Sequence, residues 1–457
     1  MCLPESFDMA MKRLRSLEAR INRNPGVREN LEKQLEEYVT KGYAHRITKR
    51  ELEETPRGKE WYLPLNYVVH QKKPDKVRLV WDAAAKAHGV SLNDCLLRGP
   101  DMVTSLPTVI NGFREKHIAF GGDIREMYHQ VKIRSEDQQA QRFLFPGPDG
   151  DVQIYVMDVV IFGASCSPCS AQYVKNLNAR EHSEVYPEAA NAIVRKHYVD
   201  DYFDSTETEA KAVKLAKEVR KVHANGGFEI RNWVSNSEKF LEALGKSRNE
   251  LKPLEVNKSS ETERVLGMLW DPKGDNFIFS TAIRSDLQPY IQEGAWPTKR
   301  IVLKCIASMF NPKQFLAPLL IQGRIFMQDL WRSGIGWDDK VTKPHYERWI
   351  QWTRLFYLIE AIKVPRCYLG GLSSTAYESV QLHVFTDAGE AAYGCVAYFR
   401  FVQAGVVHCA FVEAKAKVAP LEYLSTPRME LEAATRGASL VKTICEGHSF
   451  PISKRYL

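Results

Sequence analysis

Two adjacent acids inside an apolar, β-forming run constrain this chain more than any other feature. Arg195-Lys-His-Tyr-Val-Asp-Asp-Tyr-Phe-Asp204 sets Asp200 and Asp201 among aromatic and β-branched residues. The pattern predicts a strand, a tight turn carrying the carboxylates, and a returning strand. Neighbouring carboxylates at a hairpin tip repel each other, and core packing gives no reason for them. A divalent cation does, since Mg2+ takes carboxylate oxygens together with the oxygens of a bound triphosphate. A lone Asp-Asp pair is ordinarily a solvated acidic turn, so the reading depends on what accompanies it. Two ions held close together need a further carboxylate from elsewhere in the chain.

Asp123 supplies that carboxylate. His117-Ile-Ala-Phe-Gly-Gly-Asp123 predicts a short apolar strand that ends in the acid, with Gly121 and Gly122 allowing close approach of backbone or substrate. Ile124, Met127, Tyr128 and Val131 then recur at i, i+3, i+4 and i+7, the spacing of a helix. The expectation is strand, Asp, helix, with the carboxylate directed at the later hairpin.

Strand-Asp-helix followed by Tyr-Val-Asp-Asp resembles the palm of retroviral-type reverse transcriptases. Phe162-Gly-Ala-Ser-Cys-Ser-Pro168 is similar to that family's Gly-x-x-x-Ser-Pro segment, and Arg78-Leu-Val-Trp-Asp82 to its fingers strand. Gly227-Phe-Glu-Ile-Arg-Asn-Trp-Val-Ser-Asn236, Val265-Leu-Gly-Met-Leu-Trp270 and Pro427-Arg-Met-Glu-Leu-Glu-Ala-Ala434 resemble Pol polyproteins of Pao/BEL long-terminal-repeat retrotransposons. The resemblance implies an α+β right-hand polymerase (fingers, palm, thumb), then a helical connection and a partial ribonuclease H-like α/β domain. It implies RNA-directed DNA polymerase activity with Mg2+ or Mn2+. Asp123 and Asp200 are the implied principal metal ligands, with Asp201 beside them. Arg78 would grip the triphosphate, assisted by Lys72 or Lys73. Tyr128 would crowd the sugar 2′ position, and Phe162 and Gly163 would border the nucleotide. Ser167 and Pro168 would lie under the template, and Trp270 would pack on the primer backbone unless it is a core tryptophan.

The remaining chain divides on the same basis. Residues 1–50 carry two amphipathic stripes, Met11, Leu14, Leu17, Ile21 and then Leu31, Leu35, Tyr38, Val39, read as a helical leader. Residues 51–282 are read as fingers and palm, with helices over 183–193 and 210–222. Residues 283–374 are read as a helical thumb and connection, whose aromatics (Phe310, Phe315, Phe326, Trp331, Trp349, Trp352, Phe356) are expected in the core. Residues 375–457 are read as the ribonuclease H-like part. There Leu382-His-Val-Phe-Thr-Asp-Ala-Gly389 is a strand ending in an acid, and Pro427 opens a helix. The resemblance makes Asp387 and Glu430 metal carboxylates. Phe450 to Leu457 reads as the approach to a missing acid-bearing strand, so weak ribonuclease H activity is expected.

Composition excludes little but agrees. The chain has 457 residues, 44% hydrophobic and 26% charged, with a formal charge of +7. That length points to two to four domains, and the mild basic excess suits a nucleic-acid partner without identifying one. No run approaches the roughly 18 apolar residues of a bilayer span, so no membrane partner is expected. The N-terminus lacks a signal-peptide pattern. Nine cysteines, scattered and odd in number, suit a reduced intracellular protein, so Cys166-Ser-Pro-Cys169 is read as ordinary thiols. The resemblance implies an RNA template, a DNA primer and deoxynucleoside triphosphates as partners, and an intracellular location in cytoplasmic virus-like particles with access to the nucleus. The rival reading is a catalytically silent or co-opted nucleic-acid-binding remnant, and oligomeric state is open.

Overall fold

The computed structural model describes residues 2–70, 73–147, 150–245, 263–280, 284–373 and 377–457. The chain forms two compact units, each assembled from separated segments. One comprises Met1–Val103, Ile124–Val194 and Val219–Arg231; the other comprises Thr104–Asp123, Arg195–Glu218 and Asn232–Leu457.

In the first unit, helices Phe7–Ile21 and Pro25–Thr40 bury Ala10, Leu14, Leu17 and Ile21, then Val27, Leu31, Leu35 and Tyr38. The amphipathic stripes are there, turned slightly from the sequence reading: Met11 is half-buried and Val39 is exposed. These residues share one core with Trp61, Leu63, Leu65, Leu79, Trp81 and Phe143. Each such side chain contributes about 1.5–3 kcal/mol of burial, so the helices are packed elements of this unit. Strands Leu65–His70 and Lys73–Trp81 form a hairpin, with Val68 opposite Arg78. A second sheet runs in the order Ala44–Arg46, Val152–Met157, Arg142–Pro146, Tyr62–Leu63.

One helical expectation is corrected, and one helix went unread. Residues 183–186 are not helical; the helix is Pro187–Arg195, opened by a proline with no N–H to lose. Preceding it, Ser167–Glu181 is a full helix. Its buried face is Ala171, Gln172, Lys175, Asn176, Asn178 and Ala179, small or polar groups that leave no hydrophobic period to read.

A sheet that belongs mainly to the second unit runs in the order His197–Tyr198, Asp201–Thr206, Ile118–Ile124, Ile230–Ser235. Another takes Glu263–Val265, Met268–Asp271, Asn276–Ile278 and Lys363–Pro365. Helices Lys299–Ala307, Ala317–Arg332 and Lys343–Arg354 close on Val302, Leu320, Phe326, Leu330, Trp349, Trp352 and Phe356. Phe310 and Trp331 depart from the expectation of core placement, each being 51% exposed.

The last sheet runs Val406–Val418, Ala392–Gln403, Ser379–Ala388, Ile452–Tyr456, covered by helix Thr426–Gly447. The chain end therefore corrects the sequence reading, because Ile452–Tyr456 is itself a strand, parallel to Ser379–Ala388. Within this unit two buried arginines tie elements together. Arg366 grips Asp275 with both arms of its fork at 2.6 and 2.7 Å and donates to the carbonyls of Phe113, Lys116 and His117. Arg114 donates to the carbonyls of Pro365, Arg366, Phe411 and Val412, and its guanidinium lies 4.1 Å from the centre of the Tyr368 ring. Lys313 and Glu413 form a fully buried pair at 2.8 Å.

Candidate active site

Antiparallel pairing does what the isolated sequence segments cannot. Strand Asp201–Thr206 pairs with Ile118–Ile124 so that Asp201 is the register partner of Asp123. On its other side Asp201 pairs with Tyr198, which leaves Val199 and Asp200 as the turn. Val199 takes φ 57°, a left-handed conformation that a β-branched residue adopts only under constraint. Gly121 serves this closeness. A Cβ there would lie 2.2 Å from the Phe203 ring and 2.6 Å from the Tyr202 carbonyl oxygen, so the glycine admits the hairpin itself. Asp123 is followed by one more strand residue. Glu126 is left-handed at φ 47°, and the expected helix is a single 3-10 turn, Met127–Gln130. Ile124, Met127 and Val131 are still buried together, which explains the helix-like spacing.

The carboxylates feel each other. Burial first, then the charges of Asp200 and Asp123, push the Asp201 carboxyl up to about 7. Asp200 is also raised, by burial and then by Asp123, although a backbone N–H opposes this. Asp123 accepts a 2.6 Å hydrogen bond at Oδ1 from Nδ2 of Asn232, on the neighbouring strand. Among the described residues no group of three His, Cys, Asp or Glu side chains is gathered closely enough to hold a metal ion. The donor set nevertheless fits a hard divalent cation in kind, being carboxylate oxygens alone, and in placement on adjoining strands.

Other residues singled out from sequence lie in the first unit. Arg78 is exposed on its hairpin strand, and Lys72 lies outside the described residues. Tyr128 packs its ring 4.7 Å from Phe162, which is 48% exposed and also touches His129 at 5.4 Å. Gly163 has φ 105°, and a Cβ there would sit 2.6 Å from the Trp81 carbonyl oxygen. Asn93, which sequence reasoning missed, clamps this loop by donating to the Gly163 carbonyl and accepting from the Ser165 N–H. Ser167 is 1% exposed and donates its hydroxyl to the Ile161 carbonyl, which braces its own loop. Pro168 stays exposed in the first turn of the helix.

Trp270, in the second unit, takes the core place that was one of its two readings: it is fully buried against Phe113 and donates its indole N–H to Asp275. Asp387 and Glu430 are both exposed, on strand Ser379–Ala388 and helix Thr426–Gly447. That helix packs on that strand, since a Cβ at Gly437 would meet Thr386 and Val384. Strand Ile452–Tyr456 carries no acid, and its pairing ends with Tyr456 opposite His383, short of Asp387. All nine cysteines are free. Among the described residues no helix is long and apolar enough to cross a membrane.

Residues 298–457 match the family model of the Pao retrotransposon-like RNaseH-like domain. No curated protein matches the chain. Among solved structures, the foamy viral protease-reverse transcriptase dRH bound to double-stranded DNA is similar at a TM-score of 0.59 and 14% identity, over 94% of this chain and 62% of that one. The foamy viral protease-reverse transcriptase with an RNA/DNA hybrid gives 0.56 and 14%, over 93% and 47%. The same protein with double-stranded DNA gives 0.54 and 15%, over 93% and 74%. The chain thus spans less than two thirds of the first two. At these identities the likeness is one of fold. The RNaseH-like match and the reverse-transcriptase fold together support a retroelement Pol region.

Proposed function

We propose that the chain is an RNA-directed DNA polymerase that extends a primer on an RNA or DNA template. The observation that carries this reading is the register pairing of Asp123 with Asp201 beside the Asp200 turn. Asp123, Asp200 and Asp201 would hold divalent cations. When bound, these would activate the primer hydroxyl and stabilise the leaving pyrophosphate. Arg78 binds the triphosphate through a planar fork matched to phosphate oxygens. Tyr128, packed against Phe162, crowds the sugar's 2′ position and excludes ribonucleotides. Base pairing selects the nucleotide, so the protein's own contacts go to backbone and duplex shape. Complexes of the foamy viral relatives with double-stranded DNA and RNA/DNA hybrid support nucleic acid as the partner class. Fingers, palm and thumb are the proposed names for the hairpin region, the aspartate-bearing sheet and the three-helix cluster. Asp387 and Glu430 are proposed metal carboxylates of the RNaseH-like part. Primer extension on an RNA template with Mg2+ tests the proposal; a chain that binds the hybrid without extending it would support the silent, nucleic-acid-binding reading.

A further inference from the structure

Asn232 breaks two rules at once. Asparagine is depleted in strands, and this one sits inside Ile230–Ser235 at φ 52°. The strand's alternation fails at the same place: Ile230 and Trp233 are buried, while Arg231 and Asn232 between them are both exposed. A local kink of this kind re-aims a side chain, and such irregularities collect beside functional sites. Here the re-aimed group is the Asn232 amide, which donates to Oδ1 of Asp123 at 2.6 Å.

Strand pairing does not need that bond. Ser235 donates its hydroxyl to the Ala119 carbonyl, and Asn236 exchanges hydrogen bonds with His117 and Ala119 through its side chain and backbone. Those contacts already fasten the two strands. A neutral amide also suits the task chemically. It fixes the plane of a carboxylate without cancelling the charge that attracts a cation, as lysine or arginine would. Asparagine is moreover among the few non-glycine residues that accept a left-handed backbone.

We propose that Asn232 is a positioning residue that orients the Asp123 carboxylate for divalent-cation binding, a claim that rests on the polymerase reading for the role of Asp123. Partners that orient metal ligands typically contribute about 10–100-fold in metal affinity. Asn232→Gly removes the amide while preserving the left-handed backbone, so the sheet is unstrained. Asn232→Asp keeps the backbone preference but replaces the donor with a further negative charge.

The test has two arms. Mn2+ binding to the full chain on a primer–template is followed by electron paramagnetic resonance, and the Mg2+ dependence of primer extension is resolved into kcat and KM for the nucleotide. Asn232→Gly should weaken Mn2+ binding about tenfold or more and raise the Mg2+ needed for half-maximal extension. The nucleotide KM at saturating Mg2+ should be unchanged. Asn232→Asp should bind Mn2+ at least as tightly as wild type yet extend poorly. Wild-type Mn2+ affinity in Asn232→Gly overturns the proposal, as does absence of Mn2+ binding in the wild-type chain. Asp123-dependent Mn2+ binding without any extension would instead overturn the polymerase reading, and the binding arm would still decide the role of Asn232.

Discussion

Asp123 and Asp201 stand opposite each other as register partners on antiparallel strands, joined in the sheet although the chain places them far apart. Asp201 bears the consequence, its carboxyl held up near 7 by burial and by two neighbouring charges. This arrangement costs stability at neutral pH in the absence of a cation, which makes it measurable.

The sign of that cost is fixed. Folded Asp201 keeps a proton that the unfolded chain releases near the ordinary carboxylate value, 3.8. The unfolded state therefore binds fewer protons, and stability should fall as pH rises from about 4 to about 7, then level off. We expect a loss on the order of 1–2 kcal/mol after solvent screening. Urea unfolding in EDTA across this range should show the slope in wild type and a flatter profile in Asp201→Asn. Added Mn2+ should restore stability above pH 7. Identical profiles for the two proteins would contradict the assignment of the shift.

Sugar discrimination tests the Tyr128–Phe162 contact. Tyr128→Ala should raise ribonucleotide incorporation roughly tenfold or more, consistent with a lost steric clash of about 1.4 kcal/mol, with deoxynucleotide use reduced less. Single-nucleotide incorporation assays with matched deoxy- and ribonucleotides read this directly. Unaltered selectivity would make Tyr128 a packing residue of the Ile124, Met127 and Val131 core.

Arg366 provides a purely structural prediction. Its truncation to alanine leaves Asp275 without its charged partner and takes one donor from each of the carbonyls of Phe113, Lys116 and His117. Breaking one side of such a buried pair costs about 3–5 kcal/mol. Arg366→Ala should therefore lower the urea midpoint sharply, and Arg366→Lys should recover only part, because an ammonium cannot reproduce the fork. A midpoint shift below about 1 kcal/mol would mean the pair behaves like a surface ion pair.

Sequence made some elements legible and hid others for identifiable reasons. The paired-acid hairpin and the strand around Arg78 were readable from their β-branched and aromatic residues. Helices Phe7–Ile21 and Pro25–Thr40 were readable from their stripes, to within a residue's rotation. Helix Ser167–Glu181 was not, because its buried side presents amides, alanines and Lys175 in place of an apolar stripe. Val131 and its companions mimicked a helix because a strand end and a 3-10 turn can bury the same residues. Ser167 and Trp270 are bound close by in sequence, by the Ile161 carbonyl and by Asp275, but their burial comes only with the packed fold. Asn232 left a trace, an asparagine in an otherwise β-forming segment, but its target became visible only when the strands were neighbours.

The most direct test of the central claim is primer extension by purified wild-type chain and Asp200→Asn, on an RNA template with Mg2+ and deoxynucleotides. Wild type should extend the primer. Asp200→Asn should lose at least about a thousandfold, on the order of 4 kcal/mol in transition-state stabilisation, while keeping its circular dichroism and its affinity for the primer–template. Extension by Asp200→Asn at the wild-type rate would contradict the account.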